Sequence, residues 1–129
     1  MARILVIDDN PEFRGILHSH LTSQGYTVLE AGNGDQGIAL LETHADIDIV
    51  LTDILMPQRD GVEVLRTVKR RWPHLPVIAL SGGGWIGAEE LLGMAERLGA
   101  DRVLQKPVTR ETLLNAVTDA LREPKSQRG

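Results

Sequence analysis

The chain has 129 residues, a length that suits one domain with a single hydrophobic core. It contains no cysteine, which excludes a disulfide framework, a thiol nucleophile and a thiolate zinc site, and which suits a reducing compartment. With 18 acidic and 14 basic residues the net charge is -4, which argues against direct binding to nucleic acid.

The N-terminal residues do not have the pattern of a membrane span or an export signal. The first apolar run, residues 4–7, is stopped by Asp8 and Asp9 and is too short for a signal-peptide core or a membrane span. We therefore expect a cytoplasmic protein. Residues 123–129 offer no apolar side chain to bury, so we expect a folded domain over residues 1–122 and a disordered tail over 123–129.

Short apolar runs alternate with amphipathic segments along the chain, a pattern typical of strands and crossover helices around a parallel sheet. The first, third and fourth runs are nearly continuous in apolar residues, which predicts burial on both faces. The predicted strands are residues 3–7, 27–30, 47–52, 77–80 and 102–105.

Five amphipathic helices are predicted between and after these strands. Pro11 suits the first turn of the first helix and Gly25 closes it, Asn33 with Gln36 forms a capping-box pattern for the second, and Thr109 can cap the fifth. The apolar positions predicted to face the core are Phe13, Ile16, Leu17, Leu21, Ile38, Leu41, Val62, Leu65, Val68, Leu91, Ala95, Leu98, Leu113, Leu114, Val117 and Leu121.

Polar residues follow four of the predicted strands. In an open α/β sheet the ligand lies at the carboxyl ends of the strands, which selects Asp8 and Asp9 after the first strand, Asp53 after the third, Ser81 after the fourth and Lys106 after the fifth. Taken singly, each of these residues is more often a turn, a cap or a solvated charge. Together they bring complementary chemistry to one edge, which favours a functional site.

An acidic cluster at this edge implies a bound cation, because three neighbouring carboxylates repel one another. Oxygen ligands of this kind favour Mg²⁺, with Mn²⁺ as an alternative. A carboxylate can also act as the nucleophile that forms an aspartyl phosphate, and Asp53 is the best candidate. Lys106 and the Ser81 hydroxyl would then neutralise charge and donate hydrogen bonds to the phosphoryl oxygens.

An ordered set of residues carries a family resemblance: Asp8, Asp9, Asp53, the run 56–61 (Met-Pro-Gln-Arg-Asp-Gly), Ser81, and Lys106 with Pro107. This set resembles the bacterial response-regulator receiver, the chemotaxis-type domain of two-component signalling, over residues 3–121. The resemblance implies an α/β, flavodoxin-like (βα)5 three-layer sandwich whose parallel five-stranded sheet has the order 2-1-3-4-5.

The same resemblance implies a metal site and a phosphoacceptor. Asp9 and Asp53 would bind Mg²⁺ directly, Asp8 would act through a water molecule, and the backbone carbonyl of Leu55 would complete the protein ligands. Pro57 stiffens the loop that carries Leu55. Asp53 would receive its phosphoryl group from a sensor histidine kinase or a histidine phosphotransfer protein. The domain would catalyse only its own phosphorylation and slow dephosphorylation, as a signalling module.

The resemblance also indicates which residues respond when Asp53 is phosphorylated. Lys106 would pair with the phosphoryl group, Ser81 would swing towards it beside Gly82, and the bond between Lys106 and Pro107 would be cis. Phosphorylation would then change a protein–protein interaction with an unidentified output partner or domain. A homodimer through the fourth helix, fifth strand and fifth helix is a further expectation from the family.

Two features depart from the family pattern. Many receivers have an aromatic residue three positions before the lysine, and here this position is Val103. Glycine occupies residues 82–84, so we expect this loop to be mobile without phosphate and to carry the switch instead. Trp85 follows as either a packing anchor or an exposed partner contact. The four histidines, His18, His20, His44 and His74, do not form a ligand set.

Three functions compete on these residues. The first is a phosphorylation-dependent interaction module, which the complete acidic, hydroxyl and lysine set favours. The second is a receiver-like scaffold whose partner binding ignores phosphate, which Val103 and the glycine loop favour. The third is a hydrolase with Asp53 as covalent nucleophile. Enzymes of this third class usually have a second aspartate two residues later, where this chain has Leu55.

Overall fold

The computed structural model describes residues 2–54, 61–82, 90, 93 and 96–122. The strands are β1 Arg3–Ile7, β2 Thr27–Ala31, β3 Ile49–Asp53, β4 Val77–Ser81 and β5 Arg102–Gln105. The helices are α1 Pro11–Thr22, α2 Gly34–Thr43, α3 Gly61–Arg71 and the C-terminal helix Arg110–Arg122. Residues 90, 93 and 96–98 are also helical, within the predicted fourth helix. No helix of the described part of the chain is long and apolar enough to cross a membrane.

All five strands are parallel and lie in the order β2-β1-β3-β4-β5, which confirms the predicted flavodoxin-like sheet. The predicted bounds are correct for β1 and β5, and β2 and β4 are one residue longer than predicted. The third strand begins at Ile49 instead of residue 47, because the buried Ile47 packs against the core outside the sheet ladder. It also continues to Asp53, so this aspartate is the last residue of the strand and pairs in register with Leu80.

The sheet separates two hydrophobic cores, as the three-layer prediction requires. On one face, Leu17 and Leu21 of α1 and the buried residues of the C-terminal helix pack against the strands, a cluster we call the first core. On the other face, the buried residues of α2 and α3 form the second core with the strands. Every residue of β3 and β4, and all of β1 after Arg3, is buried, which confirms that these strands are covered on both sides.

Helix α1 begins as its sequence predicts. Pro11 is the first helical residue, and the side chain of Asn10 caps the helix by accepting hydrogen bonds from the backbone amides of Glu12 and Phe13. Gly25 has a φ of 90° beyond the helix end, a conformation that favours glycine. The prediction for Ile16 was wrong: it is 50% exposed, because it lies at the edge of the apolar stripe rather than on it.

The predicted caps of two other helices are present. Asn33 Oδ1 accepts a hydrogen bond of 2.9 Å from the amide of Gln36 at the start of α2. The Gln36 side chain returns to the amide of Gly32 at 2.8 Å, one residue before the position that a capping box uses. Thr109 Oγ1 accepts from the amide of Thr112 at 3.1 Å and so caps the C-terminal helix.

Candidate functional site

The carboxyl ends of the strands form the edge at which the sequence predicts a site. From the adjacent central strands β1 and β3 the chain winds outward in both directions, to β2 on one side and to β4 and β5 on the other. This reversal leaves a crevice above β1 and β3, where α/β proteins bind their ligands. Asp8 directly follows β1 and Asp53 ends β3, so both residues lie at this crevice.

Three carboxylates converge there. Asp8, Asp9 and Asp53 each offer one oxygen atom, and these atoms all lie within 4.8 Å of one another. Asp8 is 0% exposed and Asp53 is 4% exposed, whereas Asp9 is open to solvent. Carboxylates are buried in proteins only where a cation or hydrogen-bond donors compensate their lost hydration. The structure therefore brings together the acidic residues that the sequence selects.

Lys106 provides one compensating cation. Its Nζ lies 2.9 Å from Asp8 Oδ2 and 3.3 Å from Asp53 Oδ2. Burial by itself would lower the pKa of Lys106, since it disfavours the ammonium form. The hydrogen bond and charge of Asp8, followed by the charge and hydrogen bond of Asp53, outweigh this effect and raise the pKa above its ordinary value. Lys106 thus bridges the ends of β1 and β3 as a charged group.

The backbone fixes Asp8 in this position. Its amide donates a hydrogen bond of 3.1 Å to the carbonyl of Ala31, and its Oδ1 accepts one of 2.9 Å from the amide of Asn10. Its carbonyl accepts a hydrogen bond of 2.7 Å from Arg14 Nη1, and Arg14 Nε lies 2.9 Å from Glu30 Oε1. Neither Asn10 nor Arg14 was among the site residues that the sequence predicted. The Asn10–Pro11 start of α1 was the available signal for Asn10.

Phe13 is a further neighbour that the sequence pattern assigned only to the core. The Lys106 Nζ lies 4.3 Å from the centre of the Phe13 ring, within the distance of a cation–π contact. The ring also packs against the first core and is half-buried. Its spacing with Leu17 and Leu21 predicted the packing, but no pattern in the sequence could show that Lys106, 93 positions later, would reach it.

Ser81 and Gly82 lie beside Lys106 at the end of β4. Ser81 is 5% exposed, and its carbonyl accepts a hydrogen bond of 2.8 Å from the Lys106 amide. A Cβ atom at Gly82 would lie 3.2 Å from Lys106 Cδ, so the glycine leaves space for the lysine stem. The bond between Lys106 and Pro107 is cis, as predicted.

The remaining predicted positions are either outside the described residues or in the second core. Leu55, Pro57 and the rest of the run up to residue 60 lie outside the described residues, as do Gly83, Gly84 and Trp85. Val103 is partly buried and packs against the second core, with Ala79 as its register partner. Among the described residues, the side chains grouped closely enough to hold a metal ion are those of Asp8, Asp9 and Asp53, and this group includes no histidine.

The donor set suits a divalent cation. Three carboxylates carry more negative charge than the Lys106 ammonium balances, and carboxylate oxygens are hard ligands of the kind that Mg²⁺ prefers. Asp9, which is exposed, would leave coordination positions open to water. The acidic cluster could therefore hold a metal ion beside a buried carboxylate and a fixed ammonium.

Comparison with known proteins gives consistent results. The family model of the response regulator receiver domain matches residues 4–118. The chain is 33% identical to the transcriptional regulatory protein GlrR of Escherichia coli K12 and 34% identical to the transcriptional regulatory protein CpxR of Klebsiella pneumoniae. These matches cover 95% of the chain but only 27% and 50% of the two relatives, so it spans half of their length or less. A crystal structure of a response regulator receiver domain protein from Clostridium thermocellum has a TM-score of 0.83 and 34% identity, with 94% of each chain covered.

Proposed function

The chain belongs to the family of response regulator receiver domains, and we propose that it transfers a phosphoryl group from a phosphohistidine donor to its own Asp53 and thereby switches a protein–protein interaction. The observation that carries the proposal is the convergence of Asp8, Asp53 and Lys106 from three strands at one crevice. The donor would be a sensor histidine kinase or a histidine phosphotransfer protein. The reaction depends on Mg²⁺, with Mn²⁺ as a substitute.

Asp53 acts as the nucleophile in this proposal. One oxygen of its carboxylate attacks the phosphorus atom, the new O–P bond forms, and the bond from phosphorus to the donor imidazole breaks. Asp53 is held at the end of a fully buried strand, so its carboxylate is fixed before the donor arrives. Such positioning accounts for much of the catalysis of phosphoryl transfer.

Lys106 and Ser81 stabilise the transferred group. The Lys106 ammonium, now shared between Asp8 and Asp53, pairs with a phosphoryl oxygen once that group is attached to Asp53. Ser81, at the end of the neighbouring strand, donates its hydroxyl to another phosphoryl oxygen. Gly82 leaves the lysine stem unobstructed, because a Cβ atom there would lie 3.2 Å from Lys106 Cδ.

Asp8, Asp9 and Asp53 would hold the metal ion, together with the backbone carbonyl of Leu55. When bound, the metal neutralises negative charge on the phosphoryl oxygens and on the carboxylates. Asp8 accepts hydrogen bonds from Asn10 and Lys106 and so keeps the acidic cluster assembled. We expect slow hydrolysis of the Asp53 phosphate, in which water takes the phosphoryl group and the Asp53 carboxylate is restored, and no turnover of external phosphomonoesters.

The test is phosphorylation of the purified chain by acetyl phosphate with Mg²⁺, followed by intact-mass and peptide mapping. We expect one phosphoryl group on Asp53, and beryllofluoride should bind at the same place. A folded chain that forms no Asp53 adduct with either reagent contradicts the proposal. Chelation of the metal should stop both reactions, whereas an equal concentration of Ca²⁺ should not replace Mg²⁺, because Ca²⁺ prefers more ligands at longer distances.

The effect of Asp53 phosphorylation on partner binding has two alternatives. Val103, which packs as a small aliphatic residue against the second core, favours the alternative that partner binding ignores phosphate. In that case Asp53→Asn would leave partner affinity unchanged, whereas a phosphorylation switch requires that it abolish the response to acetyl phosphate. We expect a cytoplasmic protein that acts through an output partner or domain and does not contact nucleic acid directly. A homodimer would use the face formed by the predicted fourth helix, β5 and the C-terminal helix.

A further inference from the structure

The Lys106 ammonium has an uncharged neighbour in addition to its two carboxylates. Its Nζ lies 4.3 Å from the centre of the Phe13 ring, and the side chain is 22% exposed. The face of an aromatic ring carries negative electrostatic potential and attracts a cation at this distance, more strongly where water is excluded. Phe13 thus contributes to the environment of the cation on which phosphoryl transfer depends.

The ring is fixed by the same turn of chain that fixes Asp8. The Asn10 side chain accepts a hydrogen bond of 3.2 Å from the Phe13 amide, while the Asn10 amide donates one of 2.9 Å to Asp8 Oδ1. Pro11 begins the helix between them and restricts the backbone further. The same turn thus places the backbone of Phe13 beside one carboxylate partner of Lys106, and the ring packs against the first core.

A lysine side chain is flexible, and holding it in one place costs rotamer entropy. The two carboxylates restrict Lys106, but both belong to the cluster that would bind a metal ion, and Asp53 would also bind the phosphoryl group. Phe13 does not take part in either event. Its ring can contact the ammonium before and after Asp53 is phosphorylated, with the lysine stem lying against Gly82 on another side.

We propose that Phe13 is a positioning residue for phosphoryl transfer, whose ring face holds the Lys106 ammonium beside Asp53 through a cation–π contact. This inference rests on the proposed function of Asp53. The competing explanation is that Phe13 only fills space above the first core, in which case any ring of the same shape would serve equally well.

Fluorination of the ring separates these explanations. Fluorine atoms withdraw electron density from the ring face and weaken its attraction for a cation, while the shape changes little. Because the chain contains one phenylalanine, its biosynthetic replacement by fluorinated phenylalanines changes position 13 alone. A series from one to five fluorine atoms per ring then reduces the cation–π contact in steps.

We expect the rate of Asp53 phosphorylation by acetyl phosphate and Mg²⁺ to fall steadily along this series, by about fivefold in total, which corresponds to about 1 kcal/mol. The logarithm of the rate should follow the calculated affinity of each ring for a cation. A rate that does not depend on fluorination, in a chain that still phosphorylates Asp53, overturns the inference. If the unmodified chain forms no Asp53 phosphate, the proposed function fails first, and this inference fails with it.

Urea unfolding of the Lys106→Met chain provides the matched control. Fluorination should lower the folding equilibrium constant of the Lys106 chain about fivefold relative to its effect on the Lys106→Met chain, which has no cation above the ring. Equal effects of fluorination on both chains would show that the ring acts by packing alone and would contradict the inference.

Discussion

Lysine and aspartate meet at both edges of the sheet. At the amino ends of the strands, Lys69 Nζ lies 3.4 Å from Asp101 Oδ2, and at the carboxyl ends Lys106 Nζ lies 2.9 Å from Asp8 Oδ2 and 3.3 Å from Asp53 Oδ2. The two lysines are about equally exposed, at 23% and 22%. The difference lies in what else the carboxylates contact.

At the amino edge, carboxylates complete the backbone hydrogen bonding of the sheet. Asp101 Oδ2 accepts a hydrogen bond of 2.7 Å from the amide of Val77, the first residue of β4, and Asp48 Oδ2 accepts one of 2.8 Å from the amide of Arg3 in β1. These aspartates are separated along the edge, each with its own amide. At the carboxyl edge, three carboxylates instead lie close together, and two of them contact one ammonium. The carboxylate of the Asp101–Lys69 pair satisfies a backbone amide, which is a structural role. The three carboxylates at the carboxyl edge carry more negative charge than Lys106 balances, and this excess can bind a cation and support chemistry.

The amino edge also carries a cavity. A groove of about 500 Å³ lies at the amino edge beside Trp72, lined also by Ile47, Leu75 and Leu121. Arg71 stacks on the indole there, 4.5 Å from its centre, and pairs with Glu42 at 2.9 Å. The acidic cluster at the other edge is identified by its charges and not by its volume.

The largest predicted difference between the edges concerns the nucleophile. Asp53→Asn should abolish phosphorylation by acetyl phosphate, because an amide oxygen does not form the acyl phosphate. Asp101→Asn should leave the rate within about twofold but lower the free energy of unfolding by about 1 kcal/mol, since it weakens the contact with Lys69. Mass spectrometry and urea unfolding measure the two effects. Loss of phosphorylation in both variants would remove the distinction between the edges.

The two lysines give the second comparison. Lys106→Met should slow phosphorylation roughly a hundredfold, because the charge that forms on the phosphoryl oxygens loses its cation. Lys69→Met should lower the free energy of unfolding by about 0.5 to 1 kcal/mol and leave the rate unchanged. Single-turnover kinetics with the same two chains would reveal a structural role for Lys106 if its rate matched that of the Lys69 variant.

Metal binding should stabilise the chain through the carboxyl edge alone. Mg²⁺ at ten times its dissociation constant should raise the free energy of unfolding by about 1.4 kcal/mol. Asp9→Asn should reduce this gain to about 0.4 kcal/mol if it weakens binding tenfold. Asp46→Asn changes an exposed aspartate at the amino edge and should leave the gain intact. An equal loss in both variants would indicate unspecific screening by Mg²⁺.

The smallest predicted effect is the pH dependence of the Lys106 contacts in metal-free buffer. The pKa of Lys106 is raised above its ordinary value of 10.5, so the folded state favours the protonated form. Its contribution to stability is therefore complete below pH 10.5 and is lost as the pH rises through the folded-state pKa. The difference in unfolding free energy between the native chain and Lys106→Met should be constant from about pH 7 to 9 and should shrink above this window.

This difference is expected to be about 1 kcal/mol. A difference that shrinks on acidification between about pH 9 and 7 instead would contradict the assigned direction of the Lys106 pKa shift.

The parallel sheet and its acidic edge could be predicted because they depend on local patterns, whereas the strand order followed from the resemblance to the receiver family. The apolar runs around Val6, Val50 and Ile78 indicated buried parallel strands, and a parallel sheet brings the residue after each strand to a common edge. That rule selected Asp8, Asp53 and Lys106 correctly as neighbours. Ile16 was assigned to the core from the helical spacing of apolar residues in α1, but the buried face of α1 is narrower than this spacing indicated.

The sequence by itself determined which residues reach the crevice, since strand ends and helix caps are properties of a few consecutive residues. Only the tertiary structure decided how they pair, with Lys106 between Asp8 and Asp53, Phe13 beneath its ammonium, and Arg14 on the carbonyl of Asp8. These contacts join elements far apart in the chain, and their distances follow from how α1 and β5 pack against the central strands. A hydrophobic pattern with a period of two or 3.6 residues predicts a strand or a helix, but it does not specify how these elements pack against one another.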